Sequence, residues 1–111
     1  MLRRITILLF TVALMVVFGQ NGKAPTERSV TGVVTDASGQ PAPGAHVLLK
    51  NMKTLQVRSF IAKDKGEYFF NGLSTDVDYE LKAQSGSQSS SAHTLSTFDS
   101  RKEATINLQL K

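Results

Sequence analysis

Two histidines, His46 and His93, are the side chains in this 111-residue chain best suited to metal binding or proton transfer. A zinc peptidase needs His and Glu at helical spacing plus a distant His, so that the metal is held while it polarises a carbonyl. Neither histidine has an acid at that spacing, and both read as surface residues on separate strands. The serines between Ser85 and Ser91 lack the glycine-framed turn that would expose a nucleophile. Asp76, Asp78 and Glu80 invite a carboxylate-pair reading for glycosidic chemistry. Their alternation with Val77 and Tyr79 makes them the wet side of one strand instead. Asp36, Asp64, Asp76 and Asp78 lie near turns, but a calcium loop gathers several oxygens in one tight D-x-D-x-D-G run, and none exists here. Turn and cap roles account for these aspartates. With no Cys in the chain, thiol catalysis, Cys-based zinc sites and redox switching are closed. The sequence therefore predicts no catalytic residue, no metal and no cofactor.

The elements that carry these residues follow from the spacing of apolar side chains. Met1-Leu2-Arg3-Arg4 precedes an apolar run from Ile5 to Phe18, closed by Gly19. A basic start, an apolar stretch of this length and a small closing residue form a secretory signal segment. Val17 and Gly19 suit cleavage between Gly19 and Gln20. The run falls short of the roughly 20 residues of a membrane span, so membrane attachment is expected only if the segment stays uncleaved. Residues 20–28 have no periodicity and read as a flexible leader.

From Ser29 the period becomes two. Val30, Gly32 and Val34 share one face, and the two Gly and two Pro between Asp36 and Gly44 stop the strand. Six further strands are expected: 45–50, 56–62, 67–70, 77–84, a weak one over 92–97, and 103–110. Gly66 supplies the left-handed position of the turn before the fourth. The serine-rich 85–91 segment reads as a solvated loop. Seven short strands with regular turns predict an all-β, antiparallel Greek-key β-sandwich over residues 29–111, preceded by an N-terminal signal helix. Val30, Val34, Val47, Leu49, Tyr68, Phe70, Leu73, Tyr79, Leu81, Ile106 and Leu108 are its expected core.

Removal of residues 1–19 leaves 92 residues, enough for one domain. Arg3 and Arg4 go with that segment, so basic residues fall from 13 to 11 against 9 acids, and the net charge from +4 to +2. A nucleic-acid binder wants a concentrated basic face. Here Lys63 and Lys65 flank Asp64, and Glu103 follows Arg101-Lys102, so no nucleic-acid partner is expected. Without disulfides the domain must be held by its core, which is feasible at this size.

The order Gly32-Val33-Val34-Thr35-Asp36, Ser38-Gly39-Gln40-Pro41-Ala42-Pro43-Gly44-Ala45-His46-Val47, Asp64-Lys65-Gly66-Glu67-Tyr68-Phe69-Phe70-Asn71-Gly72-Leu73 and Tyr79-Glu80-Leu81-Lys82-Ala83 resembles the carboxypeptidase regulatory-like domain, a transthyretin-like sandwich. The resemblance implies a non-catalytic module. Similar domains follow the peptidase domain of metallocarboxypeptidases, precede outer-membrane transporters, or stand alone as small exported proteins. The chain departs from the family at Ser74-Thr75-Asp76, where many relatives carry Pro-Gly, and at 85–91, where a Gly-aromatic segment is usual. Related exported sandwiches join a Lys to an Asn beside an acid. Asn107 lies in the last strand, but its parity sends it outward, which argues against such a crosslink here.

The resemblance thus implies an exported module for protein binding or structural support in the cell envelope or extracellular space, secreted or periplasmic after cleavage. Its expected partner is an envelope or extracellular protein. The alternative is a carbohydrate-binding module with a starch-binding-like sandwich and a glycan ligand. Glycan sites use exposed aromatic platforms, and Phe60, Phe69 and Phe98 are the aromatics expected outside. Leu48 joins them as a candidate contact for a protein partner.

Overall fold

The structure, a computed structural model, describes residues 27–111. The expected signal segment, its cleavage site and most of the leader lie outside the described residues. In chain order the strands are β1 (Glu27–Thr35), β2 (His46–Asn51), β3 (Val57–Ile61), β4 (Glu67–Ser74), β5 (Tyr79–Ser85), β6 (Gln88–Ser89), β7 (His93–Leu95), β8 (Glu103–Thr105) and β9 (Leu108–Gln109).

Side-chain alternation divides these strands into two sheets with a shared apolar interior. One has the order β4-β1-β8, with β9 also on β1; the other has the order β3-β2-β5-β6, with β7 also on β5. The interior is built from the expected Val30, Val34, Val47, Leu49, Tyr68, Phe70, Leu73, Tyr79, Leu81 and Leu108, joined by Leu95 and Leu110. Ile106, expected among them, only packs against the cluster from its rim.

Among the described residues nine strands stand where seven were expected, and the pairing is mixed rather than wholly antiparallel, since β1 runs parallel to both β8 and β9. The last expected strand divides at Ile106-Asn107 because two side chains take over its ladder. The Tyr68 hydroxyl donates to the Ile106 carbonyl, and Asn107 Oδ1 accepts the Val33 N–H at 3.0 Å. Burial pushes the Tyr68 phenol well above its ordinary pKa, as it must where only the neutral form can donate. Asn107 is exposed, as its parity requires.

The serine-rich segment is not simply a solvated loop. Gly86 takes φ 60°, turning the chain so that β6 pairs with the end of β5. Ser90 is buried, and its Oγ accepts the Ala83 N–H at 2.9 Å. Gly66 adopts the expected left-handed conformation at φ 77°. β1 also begins at Glu27, two residues before the boundary expected from the sequence.

Candidate functional surface

Three places on the outside could meet another molecule: the β2–β3 hairpin, the β7–β8 loop and the outer face of β4. The hairpin is the most apolar. Met52, Leu55, Val57 and Ile61 are all exposed, and all lie between residues 52 and 61. β3 ends its sheet, so among the described residues one side of its backbone has no strand beside it. Val57 and Ile61 sit across from Lys50 and His46 on the outer face, and Ser59 sits across from Leu48. Leu48 itself is half-buried between Ser59 and Lys82.

Asn51 Oδ1 closes the hairpin turn by accepting the N–H groups of Lys53 and Thr54 at 2.8 and 2.9 Å. Leu55 completes it at φ 67°, a left-handed position that bulky side chains disfavour. A strained, 59 % exposed leucine is not what turn geometry alone selects.

The β7–β8 loop presents Phe98, which is 95 % exposed. The loop is held from below by Arg28, only 3 % exposed although the sequence pattern places it in the leader. The Arg28 guanidinium donates to the carbonyls of Ser74 at 3.1 Å, Val77 at 2.8 Å, Ser96 at 2.8 Å and Asp99 at 3.2 Å. One buried cation thereby ties two loops to the start of β1, with four of its five N–H donors on backbone carbonyls. Its parity with Val30 and Val34 was the available signal. Arg101 forms an ion pair with Asp99 at 2.7 Å and holds that carboxyl down at about 2.

Phe69 lies on the outer face of β4, 44 % exposed and paired with Thr31. Phe60 corrects an expectation. It pairs with Val47 of the interior and meets Phe70 edge-on, with ring centroids 6.0 Å apart. Directly paired residues share a face, so Phe60 closes the rim of the core instead of standing outside. Leu48, Phe69 and Phe98 therefore occupy one outer face, the other outer face and a loop, and do not form a common site.

The residues first weighed for chemistry are also dispersed. His46 is on the outer face beside Gln84, whereas His93 lines a cleft of about 610 Å³ with Val33, Asn107 and Lys111. Asp36 Oδ1 accepts from the Ser38 and Gln40 N–H groups and the Ser38 hydroxyl, which lowers its pKa and makes it a turn cap. Asp78 Oδ1 accepts the Thr97 N–H at 2.7 Å. Among the described residues no three His, Asp or Glu side chains gather where they could hold a metal ion.

A family model for the carboxypeptidase regulatory-like domain matches residues 29–111. The chain belongs to that family. Comparison with curated protein sequences gave no match. Among solved structures, this regulatory-like domain is similar to the dioxygenase domain of a dioxygenase–carbohydrate-binding fusion from Streptomyces sp. SirexAA-E, with 13 % identity and a TM-score of 0.56 over 81 % of this chain and 82 % of that one. It is also similar to catechol 1,2-dioxygenase from Acinetobacter sp. ADP1, with 12 % identity and a TM-score of 0.57 over 81 % of this chain and 54 % of the dioxygenase. The C-terminal domain of the shaft pilin SpaA from Lactobacillus rhamnosus GG is covered completely, with 12 % identity and a TM-score of 0.52 over 78 % of this chain. At such identities the likeness is one of fold, and fold does not assign chemistry.

Proposed function

We propose that this regulatory-like domain is an exported, non-catalytic module that binds a protein partner or supports structure in the cell envelope or extracellular space. The observation that carries the reading is the β2–β3 hairpin: four exposed apolar side chains on ten residues beside an unpaired strand edge. Clustered apolar exposure marks interaction surfaces, whereas scattered single residues do not. Strand edges accept further strands through main-chain bonds. Complete coverage of a shaft-pilin domain supports a structural setting for a sandwich of this kind. Export rests on the N-terminal segment, with cleavage proposed between Gly19 and Gln20; the chain meets a membrane only if that segment is retained.

Co-purification from an envelope fraction tests the reading. A protein partner should be retained by the native chain and lost with Leu48→Asp or Ile61→Asp, both on the outer face of the hairpin sheet. Capture that survives both substitutions would remove the hairpin from the account. Amino-terminal sequencing of the exported protein should begin at Gln20. Glycan binding is the second reading, favoured by the presentation of Phe98 on an anchored loop. It requires polysaccharide retention that disappears with Phe98→Ala and persists with Ile61→Asp.

A further inference from the structure

The hairpin's free edge has a pattern that selects its occupant. Asn51 N–H donates to the Gln56 carbonyl, and Ala62 N–H donates to the Ala45 carbonyl. Antiparallel neighbours exchange bonds at every second residue. With the β2–β3 register known, Arg58 and Phe60 therefore direct their backbone groups at β2. The N–H and C=O groups of Val57, Ser59 and Ile61 point the other way, to solvent.

Two of the devices that protect an edge, a proline and a bulge, are missing from β3, whose pairing with β2 runs without a register shift. Its one charge, Arg58, stays exposed but is held off the edge backbone: the guanidinium lies 5.5 Å from the Phe70 ring centroid and donates to the Asn71 carbonyl.

We propose that a second copy of this chain adds its own β3 to this edge, antiparallel, with Ser59 facing Ser59 of the second copy on a two-fold axis. The inference rests on the reading of the hairpin as an interaction surface and names its partner. Antiparallel self-pairing is limited to registers in which outward-directed groups meet, and the one centred on Ser59 uses all of them. Val57 then bonds with Ile61 of the second copy, Ser59 with its own counterpart, and Ile61 with Val57, giving about six main-chain hydrogen bonds.

Side chains agree with that register. On the outer face, each exposed Val57 gains an Ile61 neighbour, and two small hydroxyls occupy the centre. On the inner face, each Arg58 falls beside a Phe60, a cation against an aromatic, and no two like charges stand directly opposed. The arrangement is closed and isologous, so it yields a dimer and not a fibre.

The experiment uses mass and a crosslink. Sedimentation of the purified protein should give a concentration-dependent doubling of mass. Ser59→Pro should weaken association at least tenfold while the protein stays folded, because the Ser59 N–H makes no bond to β2. Ile61→Lys should act likewise. The native chain has no cysteine, so Ser59→Cys can bridge only to another copy. Bonded antiparallel residues lie about 5.5 Å apart between Cα atoms, within disulfide reach. Mild oxidation should convert Ser59→Cys to a covalent dimer and leave Glu103→Cys, in the opposite sheet, as monomer. A protein that stays monomeric at millimolar concentration overturns the second-copy proposal. If it still retains a Leu48→Asp-sensitive envelope protein, the occupant is a different chain and the broader reading stands. A dimer indifferent to Ser59→Pro, or one in which Ser59→Cys fails to crosslink, also overturns it.

Discussion

β1 and β3 are strands of one sandwich with opposite relations to solvent. β1 has hydrogen-bonded neighbours on both sides and buries every second residue from Arg28 to Val34. β3 has, among the described residues, one hydrogen-bonded neighbour and no fully buried side chain. Stability is therefore concentrated along β1, where a change is felt by both sheets. The capacity to meet another molecule is concentrated along β3, where Val57 and Ile61 are exposed and only Phe60 packs on the core. Substitutions in the two regions should separate these properties.

The largest effect is expected at Gly32. A Cβ there would sit 1.9 Å from the Ile106 carbonyl oxygen and 2.7 Å from the Tyr68 ring. Both are fixed, since they are bonded to one another across the same spot. Gly32→Ala should cost at least ~3 kcal/mol, because an overpacked core can relax only by moving backbone. At ~4–8 °C per kcal/mol for a domain of this size, the midpoint of thermal unfolding should fall by more than ~12 °C. An unchanged midpoint would show that the β1–β4–β8 seam is looser than its geometry.

Next comes Arg28→Met, which keeps much of the apolar stem but removes the donors serving four carbonyls. A loss of about 2–3 kcal/mol is expected in denaturant unfolding, tempered by water reaching the exposed side of the loops. Amide exchange should rise at Val77 and Ser96 together. A rise confined to one loop would mean that the guanidinium does not couple them.

The β2–β3 hairpin should respond in the reverse direction. Leu55→Gly removes a left-handed side chain from the turn and should stabilise the domain by about 0.5–1 kcal/mol, the relief of strain being partly offset by the freer unfolded chain. A gain in stability accompanied by weaker association would set β3 apart from β1 most clearly, since folding and binding would then ask for different residues at one position.

How much of this was legible in the sequence depends on the range of the interaction. Alternation placed Val47, Tyr79 and Leu81 inside because period two is a property of neighbouring residues. The turn glycine at 66 was readable for the same reason. Parallel pairing of β1 with β8 and β9 left no local trace, because strands of either sense alternate alike. Phe60 reads outward from the sequence because the register of β3 against β2 is set by the hairpin turn, and a slip of one residue inverts every side chain. Ser90 looks like its neighbours in a serine run; only the three-dimensional path of the chain brings its hydroxyl to the Ala83 amide. Arg28 was legible in part. It shares parity with Val30 and Val34, but a charge at the end of a polar leader gives no sign of the four carbonyls waiting for it.

The smallest effect is electrostatic and sharpens the contrast within the Phe98 loop, which is held by the Asp99–Arg101 ion pair on its outside and by Arg28 from within. Arg101 donates to the Asp99 carboxylate from its Nε, Nη2 and backbone N–H, and holds the carboxyl at about 2 against an ordinary 3.8. A carboxyl lowered in the folded state contributes stability above its unfolded pKa and loses it as pH falls toward the folded one. The contribution is thus complete above pH ~4 and fades between ~4 and ~2, and solvent screening keeps it small. The Arg101 amide resonance should titrate with a midpoint near 2, and 1 M salt should move that midpoint upward as the pair is screened. Throughout, the bonds from Arg28 to the Ser96 and Asp99 carbonyls should persist, so Phe98 stays presented while the outer link opens. A midpoint at the ordinary carboxylate value would show that Arg101 does not engage Asp99 in solution and that Arg28 alone fixes the loop.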